Sequence, residues 1–599
     1  MYLEKRDKNG LVLSFQGFKK GKEISDYSFS RLARTKAYKV LAQEFCKDSL
    51  DNYYKLFFYI DSRNYANQIF FSENQNLNAV EQKKIINIKY SQNKFYLKKF
   101  LEEKKIKFSE KIDLKNEYKN LLTFLVTSRN SLNRFTAKFR ATKKNQMNKN
   151  FKVGVSFKEG INLNKRSDLY WYDNKKFNQD DVLVYFESNF YKHRYEGKKK
   201  LKEKLKKLEL NSFDLSDFFY EEKQEFFDNI ATTLHKIQDN EEEIYAKKLS
   251  LKLLEKIKFW YCFFKKFQIK IHLDSEELVI RKLEKHLALK ALNACTVGRV
   301  RSYISKGVFD FMGSLSADII FANQKDIANR FIKDSYNISR HILITGDTNK
   351  VFTEENEKEI NLIRNKIDYN KKKFVILILD TNYSDNKSIN HHQLVSQEYY
   401  DNFYNKLIQL ANTNEDIFLI VKTKKEKILK KNLDIFKKLQ DLQKNNSCYI
   451  VSDPFGKHPF LFASISHFIV SLNLYLPSAL MECVTKGKKG IFCDYANLES
   501  VEKEIFRFKK NLIVQDLNYL DKRILEFKKD PQRSKIGDWS LIDGMKDLSN
   551  GNEGQEHASD FISSLLNEYK KNNSGHQTIY NVVKSFEKKI GKENIINFN

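Results

Sequence analysis

Proline and glycine are both scarce, with 4 and 19 in a chain of 599 residues. That shortage excludes collagen-like, mucin-like and linker-rich architectures, each of which needs one or both in quantity. Cysteine is sparse too. Its six positions, Cys46, Cys262, Cys295, Cys448, Cys483 and Cys493, form no C-x-x-C pair and no metal-type spacing, which points to a reduced compartment. No uncharged apolar run is long enough to span a bilayer, since even Leu251–Phe267 is interrupted by lysines. The opening MYLEKRDKNGLVLSF lacks the apolar stretch of a secretory leader. A cytoplasmic location is the expectation, with any membrane contact peripheral, on the inner face of the plasma membrane.

Several chemistry-bearing motifs are also missing. There is no G-x-G-x-x-G for a dinucleotide, no G-x-x-x-x-G-K-[ST] for a phosphate loop, no H-E-x-x-H and no G-x-S-x-G. His391-His392 stands in a polar loop, where adjacent imidazoles face two ways and suit solvent better than a metal. Nucleic acid is not expected as a partner, because the aromatics follow core periodicity rather than stacking positions between basic residues.

What the chain has in excess is positive charge: 107 Lys+Arg against 77 Asp+Glu, a formal +30. Much of it decorates solvated faces. The remainder favours an anionic partner, such as an acidic membrane surface, a nucleotide or a charged polymer. Hydrophobic residues at 41% supply sizeable cores, and the length implies about two to four domains.

Residues 1–150 read as a mainly helical N-terminal region, with amphipathic stretches at Phe95–Lys107 and Tyr118–Phe139. Strand signals follow at Phe151–Phe157, Asp181–Phe186, Phe267–Leu273 and Ser316–Ala322, with helices over Gly197–Leu210 and Arg281–Ala294. From about residue 340 the pattern is regular. Strands at His341–Thr345, Lys373–Leu379, Ile417–Lys422, Cys448–Val451, His467–Val470 and Gly490–Cys493 alternate with helices, including one over Lys424–Lys444. That alternation predicts parallel βαβ units in an open α/β sheet, with the ligand crevice beyond the carboxyl ends of the strands. The residues there are Thr381 and Asn382, Thr423 and Lys424, and Asn473 with Ser478.

The most specific segment is Pro477–Asp494, PSALMECVTKGKKGIFCD. Ser478 at the mouth of a helix can cap it and leave backbone N–H groups facing an anion. Glu482, four residues on and on the same helical face, can accept hydrogen bonds from ribose hydroxyls. A Ser cap with Glu one turn later is equally an ordinary helix start.

Ser478-Ala479-x-x-Glu482, Gly487-Lys488 and the strand ending at Asp494 resemble the donor-binding half of GT-B type glycosyltransferases that build bacterial capsule, lipopolysaccharide and other surface polysaccharides. The resemblance takes in His341–Asp347 as the crossing between halves, and Asp416–Lys425 as a strand ending in basic residues near donor phosphate. It extends to Gly537–Ser540 with a helix over Glu556–Tyr569 as the terminal segment packing back. In the first half, Val153–Trp171 and Asp181–Phe186 are similar to the acceptor side. The chain departs from the pattern in two places. Lys422 lacks a following His-Pro, with His458-Pro459 coming one strand later, and position 490 is Gly where a retaining subgroup has a second Glu.

The resemblance implies an α/β, GT-B-like fold with two Rossmann-like domains facing a cleft: 1–150 helical, 151–340 acceptor side, 341–575 donor side and 576–599 a tail. It implies a glycosyltransferase with a nucleotide-sugar donor and a glycan or lipid-linked acceptor, with contact to an anionic membrane. Thr381, Asn382, Lys422, Lys424, Asn473, Ser478, Ala479 and Glu482 would hold the donor, and Glu159 or Asp168 would serve as base. Cofactors are not implied, and in the absence of D-x-D no metal is needed. The alternatives are a CMP-linked acid or polyol-phosphate donor, or a non-catalytic protein that binds membrane or polymer through its lysines.

Overall fold

A computed structural model describes residues 29–45, 150–157, 166–187, 198–218, 224–238, 240–274, 283–300, 317–325, 339–348, 354–367, 374–384, 395–452, 457–473, 476–494, 503–542, 553–571 and 575–597, with a few shorter pieces. The helices expected over 95–107 and 118–139, the Glu159-Gly160 turn and the His391-His392 pair lie outside these residues or largely so.

The chain builds two parallel α/β sheets, the class expected. The first contains β1 (Val153–Phe157), β2 (Val182–Phe186), β3 (Asn211–Asp214), β4 (Ile271–Asp274), β5 (Cys295–Arg299), β6 (Ile319–Ala322) and β7 (His341–Ile344). The second contains β8 (Phe374–Leu379), β9 (Ile417–Lys422), β10 (Cys448–Ile450), β11 (Phe468–Asn473), β12 (Gly490–Asp494) and β13 (Ile513–Val514). A last strand, β14 (Ile595–Asn597), returns to the first sheet and pairs antiparallel with β7.

Spatial order is β3-β2-β1-β4-β5-β6-β7-β14 in one sheet and β10-β9-β8-β11-β12-β13 in the other. In each, the chain runs outward for three strands and then returns to the other side of the first, so each has a switch point: between β1 and β4, and between β8 and β11. Such a point is where loops diverge and a ligand crevice is expected, beyond the carboxyl ends of the strands.

Burial explains why these segments are strands. All six residues of β8, FVILIL, and all six of β9, IFLIVK, are buried, as a parallel sheet covered on both faces requires. In β2 the two faces divide with period two. Leu183 and Tyr185 pack with α1 (Lys36–Phe45), α3 (Glu225–His235) and α4 (Glu241–Lys266). Val182, Val184 and Phe186 pack with α2 (Lys198–Lys207), α13 (Glu553–Lys571) and α14 (Gly575–Ile590).

Three boundaries differ from the sequence reading. Phe267 caps α4 and Gln268 turns the chain with φ 54, so the strand expected from Phe267 begins at Ile271. The helix expected over Lys424–Lys444 is divided into α8 (Glu426–Lys431) and α9 (Leu433–Lys444), because Asn432 leaves helical geometry and its side chain accepts from Ile435 N. The strand at His341 pairs with β6, and so belongs to the first sheet rather than opening the second. Between α5 (Leu283–Lys290) and α9 the chain also forms α6 (Glu354–Ile367) and α7 (Gln397–Thr413), and α12 (Leu520–Lys529) follows β13.

Residues 345–348 carry the chain from the first sheet toward the second. His557 Nδ1 donates to the Thr345 carbonyl at 2.9 Å, and Arg299 Nη1 donates to Thr348 Oγ1 at 2.9 Å. A Cβ added at Gly554, in α13, would lie 2.3 Å from the Asp347 carbonyl oxygen, so the helix is pressed onto this crossing through bare backbone. Gly537 plays a similar part on the second sheet. Its φ of +72 and a hypothetical Cβ 2.5 Å from Gly490 N admit no side chain, and Trp539 Nε1 donates to Gly490 O at 2.8 Å. Gly537–Ser540 thus lies on the second sheet, while the helix that follows lies on the first.

Candidate functional site at the carboxyl edges of the two sheets

The second sheet's edge is organised by Asp380, the residue after β8. Its carboxylate accepts from Tyr400 Oη at 2.7 Å, Tyr404 Oη at 2.8 Å and Lys424 N at 2.6 Å. Both tyrosines are fully buried on α7, within which they stand four residues apart and so share a face. Burial pushes the Asp380 carboxyl up to about 6, against the opposing pull of those three donors and the Lys422 ammonium. Burial also raises both phenols, which stay protonated as donors. Asp380 therefore ties the loop after β8 to the loop after β9.

On this tie stand four residues expected from the sequence. Leu379 and Lys422 are register partners, so Thr381 and Asn382 run beside Thr423 and Lys424 at the edge. Lys422 is 7% exposed and Lys424 is exposed. Thr381 Oγ1, Asn382 Oδ1 and Thr423 Oγ1 are all buried and make no hydrogen bond among the described residues. Each such group costs about 1–3 kcal/mol, so three on adjacent loops call for an explanation.

Asn473 ends β11 opposite Asp494 and is half-buried, as are Ser478 and Ala479. Here the sequence reading is corrected in one respect. Pro477 is the cap of α11 (Ser478–Val484) and Ser478 its first helical residue, with no side-chain cap bond. Proline fixes φ near the entry value and leaves no donor, so it takes the boundary position.

Glu482 enters a second cluster. It is 7% exposed, and its Oε2 lies 3.6 Å from His458 Nε2. His458, fully buried, begins α10 (Pro459–Ala463) and also meets Asp347 Oδ2 at 3.2 Å, while Lys486 Nζ stands 3.8 Å from the same oxygen. Carboxylates from both halves of the chain thus converge on one imidazole.

The first sheet has its own polar edge at the β1/β4 switch. Lys285, 2% exposed, holds Glu187 Oε1 at 2.5 Å and lies 4.6 Å above the Trp260 ring, with Asp274 Oδ2 at 3.9 Å. Ser156 Oγ donates to the same Glu187 oxygen at 2.8 Å. Asp168 is 1% exposed and, with Asp274 and Arg299, acts electrostatically on Tyr170, whose hydroxyl burial pushes up. Arg299 stacks 4.0 Å over the Tyr170 ring. Glu159 lies outside the described residues.

Sequence reasoning missed Asp380, His458, Lys285 and Arg299 as site residues. Asp380 was findable as the first polar residue after six apolar ones, and His458 as the residue before a proline at a helix start. Nothing local marks Lys285 or Arg299. Among the described residues no group of three His, Cys, Asp or Glu is arranged to hold a metal ion, and no helix is long and apolar enough to cross a membrane.

No family model and no curated protein matches the chain. Solved structures do. The wall teichoic acid polymerase TagF aligns with a TM-score of 0.40 and 14% identity, over 77% of this chain and 100% of that one. UDP-GlcNAc 2-epimerase from Neisseria meningitidis, bound to UDP-GlcNAc, gives 0.40 and 12%, over 70% and 100%. A glycosyltransferase from Rickettsia africae gives 0.34 and 11%, over 73% and 98%. Likeness at this level bears no weight for activity or substrate.

Proposed function

We propose that this chain is a glycosyltransferase of the GT-B kind, which moves a sugar from a nucleotide-sugar donor to a hydroxyl of a surface glycan or a lipid-linked acceptor. One observation carries the reading: buried polar groups without partners among the described residues, Thr381 Oγ1, Asn382 Oδ1 and Thr423 Oγ1, stand beside buried Lys422 at the carboxyl ends of β8 and β9, next to the switch point of a parallel sheet. A ligand with anionic acceptors for the two hydroxyls, facing the Lys422 ammonium, and with a hydroxyl donor for the Asn382 oxygen satisfies all three. A sugar diphosphate has both properties.

In this reading Lys422 and Lys424 neutralise the leaving diphosphate as point charges. Glu482 takes the ribose hydroxyls, and Asn473 and Ser478 border the phosphate. The acceptor hydroxyl loses its proton as it attacks the anomeric carbon, while the bond to the diphosphate breaks. Asp168 is the base in the described part of the first half, with Glu159 the other candidate. Closure of the two halves over the donor would exclude water and align the acceptor.

The test is calorimetric titration with UDP, GDP, ADP and CMP. One of them is expected to bind wild type, and Lys422→Ala to weaken it by about tenfold, the loss of one charged contact. Indifference of the protein to all four would remove the reading.

A further inference from the structure

We infer that His458 is a positioning residue of the donor site, orienting the Glu482 carboxylate toward the ribose and tying it to Asp347 on the crossing between the two sheets. The inference rests on the donor reading above.

Proton accounting on the imidazole is the basis. The Phe460 backbone N–H donates to His458 Nδ1 at 3.1 Å, so that nitrogen carries no hydrogen. The neutral ring therefore has its hydrogen on Nε2. Nε2 faces Asp347 Oδ2 at 3.2 Å and Glu482 Oε2 at 3.6 Å. The N–H thus bonds Asp347, with Glu482 Oε2 beside that bond at 3.6 Å, the two carboxylates arriving from different sheets, and the helix cap fixes where it points.

The surroundings allow little else. His458 is 0% exposed, Asp347 5% and Glu482 7%, so water does not compete for these groups. Lys486, 3.8 Å from Asp347 and 5.7 Å from the Phe460 ring centre, adds the cation that makes two neighbouring carboxylates tolerable. Asp347 is further fixed by the press of Gly554 on its carbonyl. When ribose hydroxyls engage Glu482, the His458 N–H remains on Asp347. The nucleoside end of the donor is then linked through His458 to the chain crossing.

Two substitutions separate capping from positioning. His458→Asn sets an amide oxygen near the place of Nδ1 and keeps the bond from Phe460 N, but has nothing at Nε2. His458→Gln can present a donor near Nε2. Wild type and both variants are titrated with UDP, GDP, ADP and CMP and with their 2′-deoxy and 3′-deoxy counterparts. Wild type is expected to prefer the ribonucleotide it binds by about tenfold over a deoxy form, the weight of a hydrogen bond to a charged group. His458→Asn should abolish that preference while leaving affinity for the deoxy form unchanged, and His458→Gln should restore part of it.

A preference retained in His458→Asn, or an equal loss for ribo and deoxy forms, overturns the positioning role and leaves the donor reading standing. Failure of every nucleotide to bind wild type overturns both. Should His458→Asn not fold, Asp347→Asn, which leaves the cap intact, is measured in the same way: an undiminished preference there counts against the tie.

Discussion

Thr381 shows how a single hydroxyl can trade stability for binding. It is 2% exposed, and its Oγ1 has no partner among the described residues. Thr381→Val keeps the shape and removes the unsatisfied atom, so thermal or urea denaturation should show a gain of about 1 kcal/mol, with nucleotide affinity falling about tenfold. A variant less stable than wild type would mean that the hydroxyl is already satisfied.

Asp380 makes a prediction of the opposite kind. Its folded carboxyl titrates near 6, above the ordinary 3.8, so its contribution to stability is full below about pH 4 and is lost as pH rises through 6. Asp380→Asn removes that titration. The stability difference, wild type minus variant, should therefore fall between pH 4 and 6.5 and be flat above, as followed by urea unfolding across that range. How the candidate site could be read from sequence follows from the same residues. Thr381, Asn382, Lys422 and Lys424 were legible because they end long apolar strands in an α/β alternation. His458 was legible as a helix start but not as a partner of Asp347, 111 residues away, and Lys285 was not legible at all, because Glu187 lies 98 residues away in the chain.

At the scale of elements, the strands that sequence missed are those whose physics is not local. β3 reads NSFD and β14 reads IIN; the first is an edge strand and the second exists only through pairing with β7. Strands such as β8 declare themselves because both faces are buried. Helix α1 is held by a similarly distant device. Glu243 of α4 accepts from Lys36 N at 2.6 Å and Ala37 N at 3.3 Å, and Arg31 meets Glu242 at 2.9 Å. A carboxylate from one helix thus caps the start of another. Glu243→Ala should cost about 1–3 kcal/mol locally, seen in hydrogen exchange as faster amides across α1 with those of β8 and β9 unchanged. Uniformly faster exchange would show that α1 does not open on its own.

At the scale of the molecule, several contacts that join the two sheets meet at residues 345–348. Gly554→Ala inserts a methyl where the Asp347 carbonyl already stands, at 2.3 Å. Backbone must move, and overpacking of this kind costs about 1–3 kcal/mol. The expected result is a lower Tm with weaker nucleotide binding, because the shift carries Asp347 away from His458. Unchanged melting would show that α13 can slide on the crossing without loss.

The antiparallel pairing of β14 with β7 has a consequence in time. The first sheet draws strands from residues 153–344 and again from 595–597, whereas every strand of the second falls within 374–514. A ribosome making this chain releases all of the second sheet's strands before it releases the one that covers the first sheet's open edge. Until then β7 presents unpaired amides and carbonyls to any passing strand. The half that is begun earliest in translation is finished last.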